Sequence, residues 1–291
     1  MSDAILRIEH VTKRFGGLTA VSDFHTDIQA GELVGLIGPN GAGKTTLFNL
    51  ITGVYEPTEG RITVNGKPIA GMTPDRITGL GMARTFQNIR LFDEMTVLEN
   101  VKTAYNLRAG YGIVDAIFRT RRFKDEEKEL HGKAMHLLQL FGLADDASER
   151  ASSLAYGEQR RLEIARAMAT APNILLLDEP AAGMNAQETE ELMEMLLDIK
   201  ARFSLTLLLI EHDMKFVMRL CERIVVLDYG KIIAIGTPDQ IKHDPKVIAA
   251  YLGDEVADEP PALPSPEHVP APDPAPAEPE PADPPAAEDA P

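Results

Sequence analysis

Gly38, Gly43, Lys44 and Thr45 keep the spacing G-x-x-x-x-G-K-[ST] within GLIGPNGAGKTTLFNLITG, residues 35–53. Glycines at those places let the backbone curl until consecutive N–H groups point inward as a nest for an anion. Lys44 can then reach the β and γ phosphates of a nucleotide, and the Thr45 hydroxyl can ligate Mg2+. The candidate contacts run through Gly38, Pro39, Asn40, Gly41, Ala42, Gly43, Lys44, Thr45 and Thr46. A second group closes NILLLDEP, residues 173–180. Asp178 is suited to hold Mg2+ through water, and Glu179 to polarise an attacking water as a general base. The third is His212, between Glu211 and Asp213. A lone histidine is more often structural, but this one could reach a γ-phosphate and hydrogen-bond the same water. The combined chemistry is in-line attack of water on a terminal phosphate, in which catalysis is mostly positioning and charge stabilisation.

Such groups need rigid elements beneath them. Ile5 to Val11 and Glu32 to Ile37 read as short strands. The second runs straight into the glycine loop, and Leu47, Leu50 and Ile51 then give a helical pattern whose N-terminus adds partial positive charge. Ile174 to Leu177 form an apolar run of the kind found in buried parallel strands. Its two acids would stand at the carboxyl edge of the sheet, where α/β folds place ligands. Leu205 to Ile210 reads as a third such strand, ending at Glu211 and His212. In LAYGEQRRLEIARA, residues 154–167, a glycine precedes a polar-faced helix with Leu162, Ala165, Met168 and Ala169 on one face. Gly157 permits close backbone approach, the helix start attracts an anion, and Pro172 stops the helix.

In order and spacing these segments resemble an ATP-binding cassette (ABC) ATPase across nearly all of residues 4–253. The resemblance implies an α/β fold: a P-loop NTPase (RecA-like) core, an antiparallel β subdomain and an α-helical signature subdomain at about residues 88–165. It identifies Gln87, in ARTFQN, as the residue that senses the γ-phosphate or Mg2+. It makes Leu154, Ala155, Tyr156, Gly157 and Glu158 the signature loop, which faces ATP held by a second subunit's phosphate loop. Phe15 matches the aromatic that stacks on adenine, with core packing as its other reading. Two departures stand out. The usual signature is LSGGQ, so Ala155 removes a hydroxyl whose hydrogen bond contributes about 0.5–1.5 kcal/mol net. The usual SALD is replaced by AAGMN, ending at Asn185, which leaves the family's aspartate contact in doubt.

LAYGEQRRLEIARA, LDEPAAGMN, LIEHDMKFVM and GTPDQIKHDPKVIAAYLG most resemble the LivG-type ATPases of bacterial branched-chain amino acid importers. So does an insert at about residues 100–129, which is similar to that subfamily's helical arm; a solvated amphipathic helix is its other reading. The partners implied are a second, related but non-identical ABC ATPase subunit, two transmembrane permeases and, indirectly, a periplasmic substrate-binding protein. The implied place is the cytoplasmic face of the bacterial inner membrane. Other cargoes stay open (urea, short amides, exported lipopolysaccharide), as does a soluble ABC ATPase outside transport.

Composition fits this reading. No segment approaches the roughly 18 uninterrupted apolar residues of a membrane span, so any membrane role is peripheral. MSDAILRIEH has acids where a signal peptide needs a basic start. The single cysteine, Cys221, excludes an intramolecular disulfide and suits a reducing compartment. Eleven acids in residues 254–291 account for all but five of the sixteen net negative charges, and the same stretch holds 13 of the 21 prolines and no Lys or Arg. That composition predicts a disordered, semi-extended tail, either a solubilising extension or a docking segment for a Pro-recognising partner. The remainder is only mildly acidic, so no nucleic-acid partner is expected.

Overall fold

The computed structural model describes residues 4–105, 113–118 and 120–257. The chain opens with two long antiparallel strands, β1 (Leu6–Phe15) and β2 (Leu18–Ile28), and then enters the fully buried β3 (Leu33–Ile37). The glycine loop leads into α1 (Lys44–Ile51). Next come β4 (Glu59–Val64), the two-residue β5 (Lys67–Pro68), α2 (Pro74–Gly79) and β6 (Met82–Arg84). A helical segment follows: α3 (Val97–Tyr105), α4 (Ile113–Phe118), α5 (Arg121–Leu140) and α6 (Tyr156–Met168). Then come β7 (Ile174–Asp178), α7 (Ala186–Phe203), β8 (Thr206–Ile210), α8 (Met214–Leu220) and the hairpin of β9 (Arg223–Asp228) with β10 (Lys231–Gly236). Helices α9 (Pro238–Lys242) and α10 (Pro245–Ala257) end the described chain.

Two sheets result. One is antiparallel, in the order β2-β1-β4-β5. The other has the order β10-β9-β3-β8-β7-β6 and is parallel except for its β10 edge. The parallel strands are apolar on both faces along most of their length, because both faces are covered. Leu175, Leu177, Leu207, Leu209 and Val226 point into a core shared with α6, α7 and α8. Their alternates, Ile174, Leu176, Leu208, Ile210 and Val225, join α1 and the antiparallel sheet. The register sets Asp178 beside Ile210 and Leu36 beside Ile210, so β3, β7 and β8 end level with one another.

Asn100, where the expected arm begins, is fully buried in α3, and its side-chain amide accepts from Phe92 N and donates to the carbonyls of Phe92 and Thr96. The charged run of the arm lies on α5, whose first turn is capped by Thr120 and tied to α3 by Lys102–Glu127 at 2.7 Å. Residues 106–112 and 119 of the expected arm lie outside the described residues. α10 runs on to Ala257, so residues 254–257 of the expected tail are helical; the composition-based reading of residues 258–291 lies outside the described residues. Among the described residues no helix is long and apolar enough to cross a membrane.

Candidate functional site

The glycine loop is fixed by close packing. A Cβ on Gly38 would lie 2.0 Å from the Leu227 carbonyl oxygen, and one on Gly43 would lie 2.4 Å from that of Ala20. Both glycines also have positive φ, at 152° and 103°. Larger residues would therefore push the loop off β9 and β2 as well as straining it. The first turn of α1 carries no acid to compete for an anion. Lys44 is buried, and its ammonium donates to the carbonyls of Gly38 at 2.5 Å and Pro39 at 2.8 Å. It thus braces the loop from within, a short swing from any phosphate the loop would cradle. Thr45 is exposed at the loop's rim.

Asp178 ends β7 almost fully buried, and sequence reasoning missed its partner. Arg84, at the end of the neighbouring β6, donates from Nη2 to Asp178 Oδ2 at 2.7 Å. The same guanidinium reaches Asn49 Oδ1 at 2.8 Å on α1 and lies over the rings of Phe48 and Phe86. Arg84 therefore orients the carboxylate and ties it to the helix behind the phosphate loop. The only signal in the sequence was a charge inside an otherwise apolar MAR triplet.

Glu179 sits just past the strand with a left-handed backbone, φ 48°. Its amide donates to Ile210 O at 2.9 Å, which pins the turn to β8. Gln87 Nε2 donates to Glu179 Oε2 at 2.8 Å, and His212 Nδ1 is 3.7 Å from the same oxygen. The structure thus brings together three residues predicted from segments 92 and 33 positions apart. Gln87 uses its N–H groups on Glu179, which leaves its carbonyl end to ligate. With Thr45 and Asp178 it offers hard oxygen donors, the set that suits Mg2+.

Glu211, one residue before His212, was not among the predicted site residues. It is buried, and it accepts from the amides of Ala181 at 2.9 Å and His212 at 3.1 Å. Burial pushes its carboxyl up from the ordinary range, and those amides pull it back only in part. It joins the loop after Glu179 to the loop carrying His212.

The helix α6 departs from expectation. Its polar residues do not simply face solvent: Arg160 and Glu163 are fully buried and paired at 2.9 Å. Arg160 donates to the carbonyls of Phe86 at 2.7 Å and Gln87 at 2.8 Å. Glu163 Oε1 accepts from the amides of Phe86 and Arg90. The segment carrying Gln87 is therefore gripped by α6 through both its donors and its acceptors. Ala155 caps α6 with extended φ and ψ; its amide donates to Glu158 Oε2 at 3.0 Å, half of a capping box that alanine cannot complete. Leu154 is buried, Tyr156 is exposed, and Gly157 lies so close to Glu188 that a Cβ there would meet its carboxylate at 3.1 Å. Asn185 caps α7, accepting from the amides of Gln187 and Glu188, so it has a structural role where the family's aspartate was expected.

Phe15 lies at the end of β1, 41% exposed, so it is not a core residue. Its ring meets Tyr55 edge to face at 5.2 Å, with Lys13 Nζ 5.0 Å from its centroid. Tyr55 extends this aromatic surface and was missed because it lies 40 residues from Phe15.

Residues 21–182 match the ABC transporter family, and residues 231–257 match the branched-chain amino acid ATP-binding cassette transporter family. The chain is 46% identical over 254 residues to the high-affinity branched-chain amino acid transport ATP-binding protein LivG of Salmonella typhimurium, covering 87% of this chain and 100% of that one. It matches BraF of Pseudomonas aeruginosa, of the same description, equally well at 46% over 254 residues, with the same coverage of both chains. A crystal structure of the ADP conformation of an ATP-binding cassette of an ABC transporter superposes with a TM-score of 0.75 at 33% identity, over 86% of this chain and 99% of that chain.

Proposed function

This chain belongs to the ABC transporter family, and we propose that it is the ATP-hydrolysing, energy-coupling subunit of an importer for branched-chain amino acids. The observation that carries the reading is the meeting of Gln87 and His212 on the Glu179 carboxylate, at strand ends level with the Gly38–Thr45 loop. The cargo rests on the match at residues 231–257 together with the similarity to LivG and BraF.

The ABC domain binds ATP, and the phosphates belong in the amide nest at the head of α1. Thr45, Gln87 and Asp178 would hold Mg2+, which would supply charge neutralisation at the phosphates. Glu179 draws a proton from the attacking water while His212 holds that water and the γ-phosphate in line. Phe15, with Tyr55 beside it, offers a ring face to adenine. Leu154 to Glu158 act on a nucleotide held by the second ATPase subunit, whose own signature loop completes this chain's site. Ala155 contributes no hydroxyl, so backbone amides and the start of α6 carry that contact.

Coupling runs through the segment after Gln87. Arg90, Leu91 and Phe92 line a groove of about 580 Å³ with Glu163 and Arg166, and this groove is the receptor for a permease's cytoplasmic helix. Closing the two-subunit sandwich moves that segment, so ATP favours one state of the permease over the other. The protein works at the cytoplasmic face of the membrane.

Glu179→Gln tests the chemistry. It should keep ATP affinity and trap an ATP-bound dimer, with hydrolysis lowered by about a hundredfold or more, since positioned general bases contribute 10²–10⁴-fold. Undiminished turnover would remove Glu179 as the base. Leucine uptake by proteoliposomes holding the assembled complex tests the cargo.

A further inference from the structure

We propose that His10, Asp23 and His25 form a binding site for a borderline-soft divalent cation such as Zn2+, on the antiparallel sheet away from the nucleotide chemistry. One ligand atom from each of the three lies within 4.8 Å of the others. His10 Nδ1 donates to Asp23 Oδ1 at 2.7 Å, a contact whose proton a bound cation would displace.

The backbone goes out of its way to bring them together. Between the pairs Ile8↔Thr26 and Val11↔Phe24, β1 carries one extra residue; between Val11↔Phe24 and Lys13↔Val21, β2 does. His10 lies in the first bulge and Asp23 in the second, with left-handed φ of 48° and 52°. A left-handed backbone is unfavourable for a residue with a Cβ, and bulges commonly re-aim side chains at functional positions. Neighbours hold both bulges in place. Asp23 N donates to the buried Thr12 hydroxyl at 3.0 Å. Gly60 passes so close to the His10 carbonyl that a Cβ there would lie 2.3 Å from its oxygen.

The His25 imidazole is set for ligation. His25 Nδ1 lies 3.1 Å from the Asp23 carbonyl, so it is the protonated nitrogen and Nε2 keeps the lone pair. A backbone carbonyl orienting the far nitrogen is the usual support for a metal-bound histidine. Two imidazoles and one carboxylate select Zn2+, Co2+ or Ni2+ over Mg2+ and Ca2+, which prefer all-oxygen shells. Water completes the shell on this exposed face. The bound ion would staple β1 to β2, the two strands whose turn follows Phe15.

The test is calorimetric titration of the full chain with zinc chloride in excess Mg2+, beside His10→Asn, Asp23→Asn and His25→Gln. Asparagine tolerates left-handed φ, and melts without zinc establish that each variant is folded. One zinc equivalent should bind wild type, each substitution should weaken it at least about tenfold, and zinc should raise the melting temperature of wild type alone. Isotherms that the three substitutions leave unchanged, or no zinc binding by wild type, would overturn the site.

Discussion

Glu211 shows how a single buried acid is used without chemistry of its own. Its two oxygens take the amides of Ala181 and His212 and so fix the two loops against each other. Because burial raises its folded pKa, its contribution to stability is fully present below the unfolded value near 4.5 and is lost as pH rises through the folded value. Glutamine keeps an oxygen for an amide and carries no charge. Relative to wild type, Glu211→Gln should therefore melt progressively higher as the pH rises from 4.5 to 7.5, on top of a pH-independent cost for the one amide that loses its acceptor. Melting curves across that range decide it; an advantage that grows on acidification would mean the carboxylate is stabilised where it sits.

At the scale of elements, the link between α6 and the Gln87 segment is the main result. Arg160 and Glu163 are both excluded from water, and together they make four hydrogen bonds to the backbone of residues 86–90. Arg160→Met leaves Glu163 as a buried, unpaired acid, and loss of one partner of such a pair costs about 3–5 kcal/mol. Burial already pushes the Glu163 carboxyl up, and the nearby Arg160 is the largest influence holding it down. Denaturant titration should show that loss, and the double variant Arg160→Met/Glu163→Gln should recover much of it. A single variant as stable as wild type would show that the pair does not hold the segment. These partners also mark what the sequence conceals. The glycine loop and the runs ILLLD and TLLLI were legible because their patterns are local and each strand shows its burial in consecutive residues. Arg84 with Asp178 and Arg160 with Phe86 join residues 94 and 74 apart, and nothing local distinguishes such a charge from one on a solvated face. Helical spacing set Leu162 and Ala165 on one face, which is buried, but it could not show that burial continues around α6 to take in an ion pair.

For the whole molecule, the phosphate loop and the start of α6 are two halves of a site that the proposed function completes only between subunits. The chain lends itself to a direct test. Its one cysteine, Cys221, is buried and its thiol is pushed up to about 12, so it is a poor partner for disulfide exchange and can be replaced by serine as a precaution. Asn40 on the loop and Ala155 at the helix start are both exposed, so cysteines at these positions should disturb little. In a Cys221→Ser, Glu179→Gln background with Asn40→Cys and Ala155→Cys, mild oxidation with Mg-ATP should give a covalent dimer on a non-reducing gel. Without nucleotide the yield should fall severalfold, because the γ-phosphate is what draws the two halves together. A link formed within one chain, equally with and without ATP, would place both halves of the site in a single subunit and remove the sandwich as the unit that drives transport.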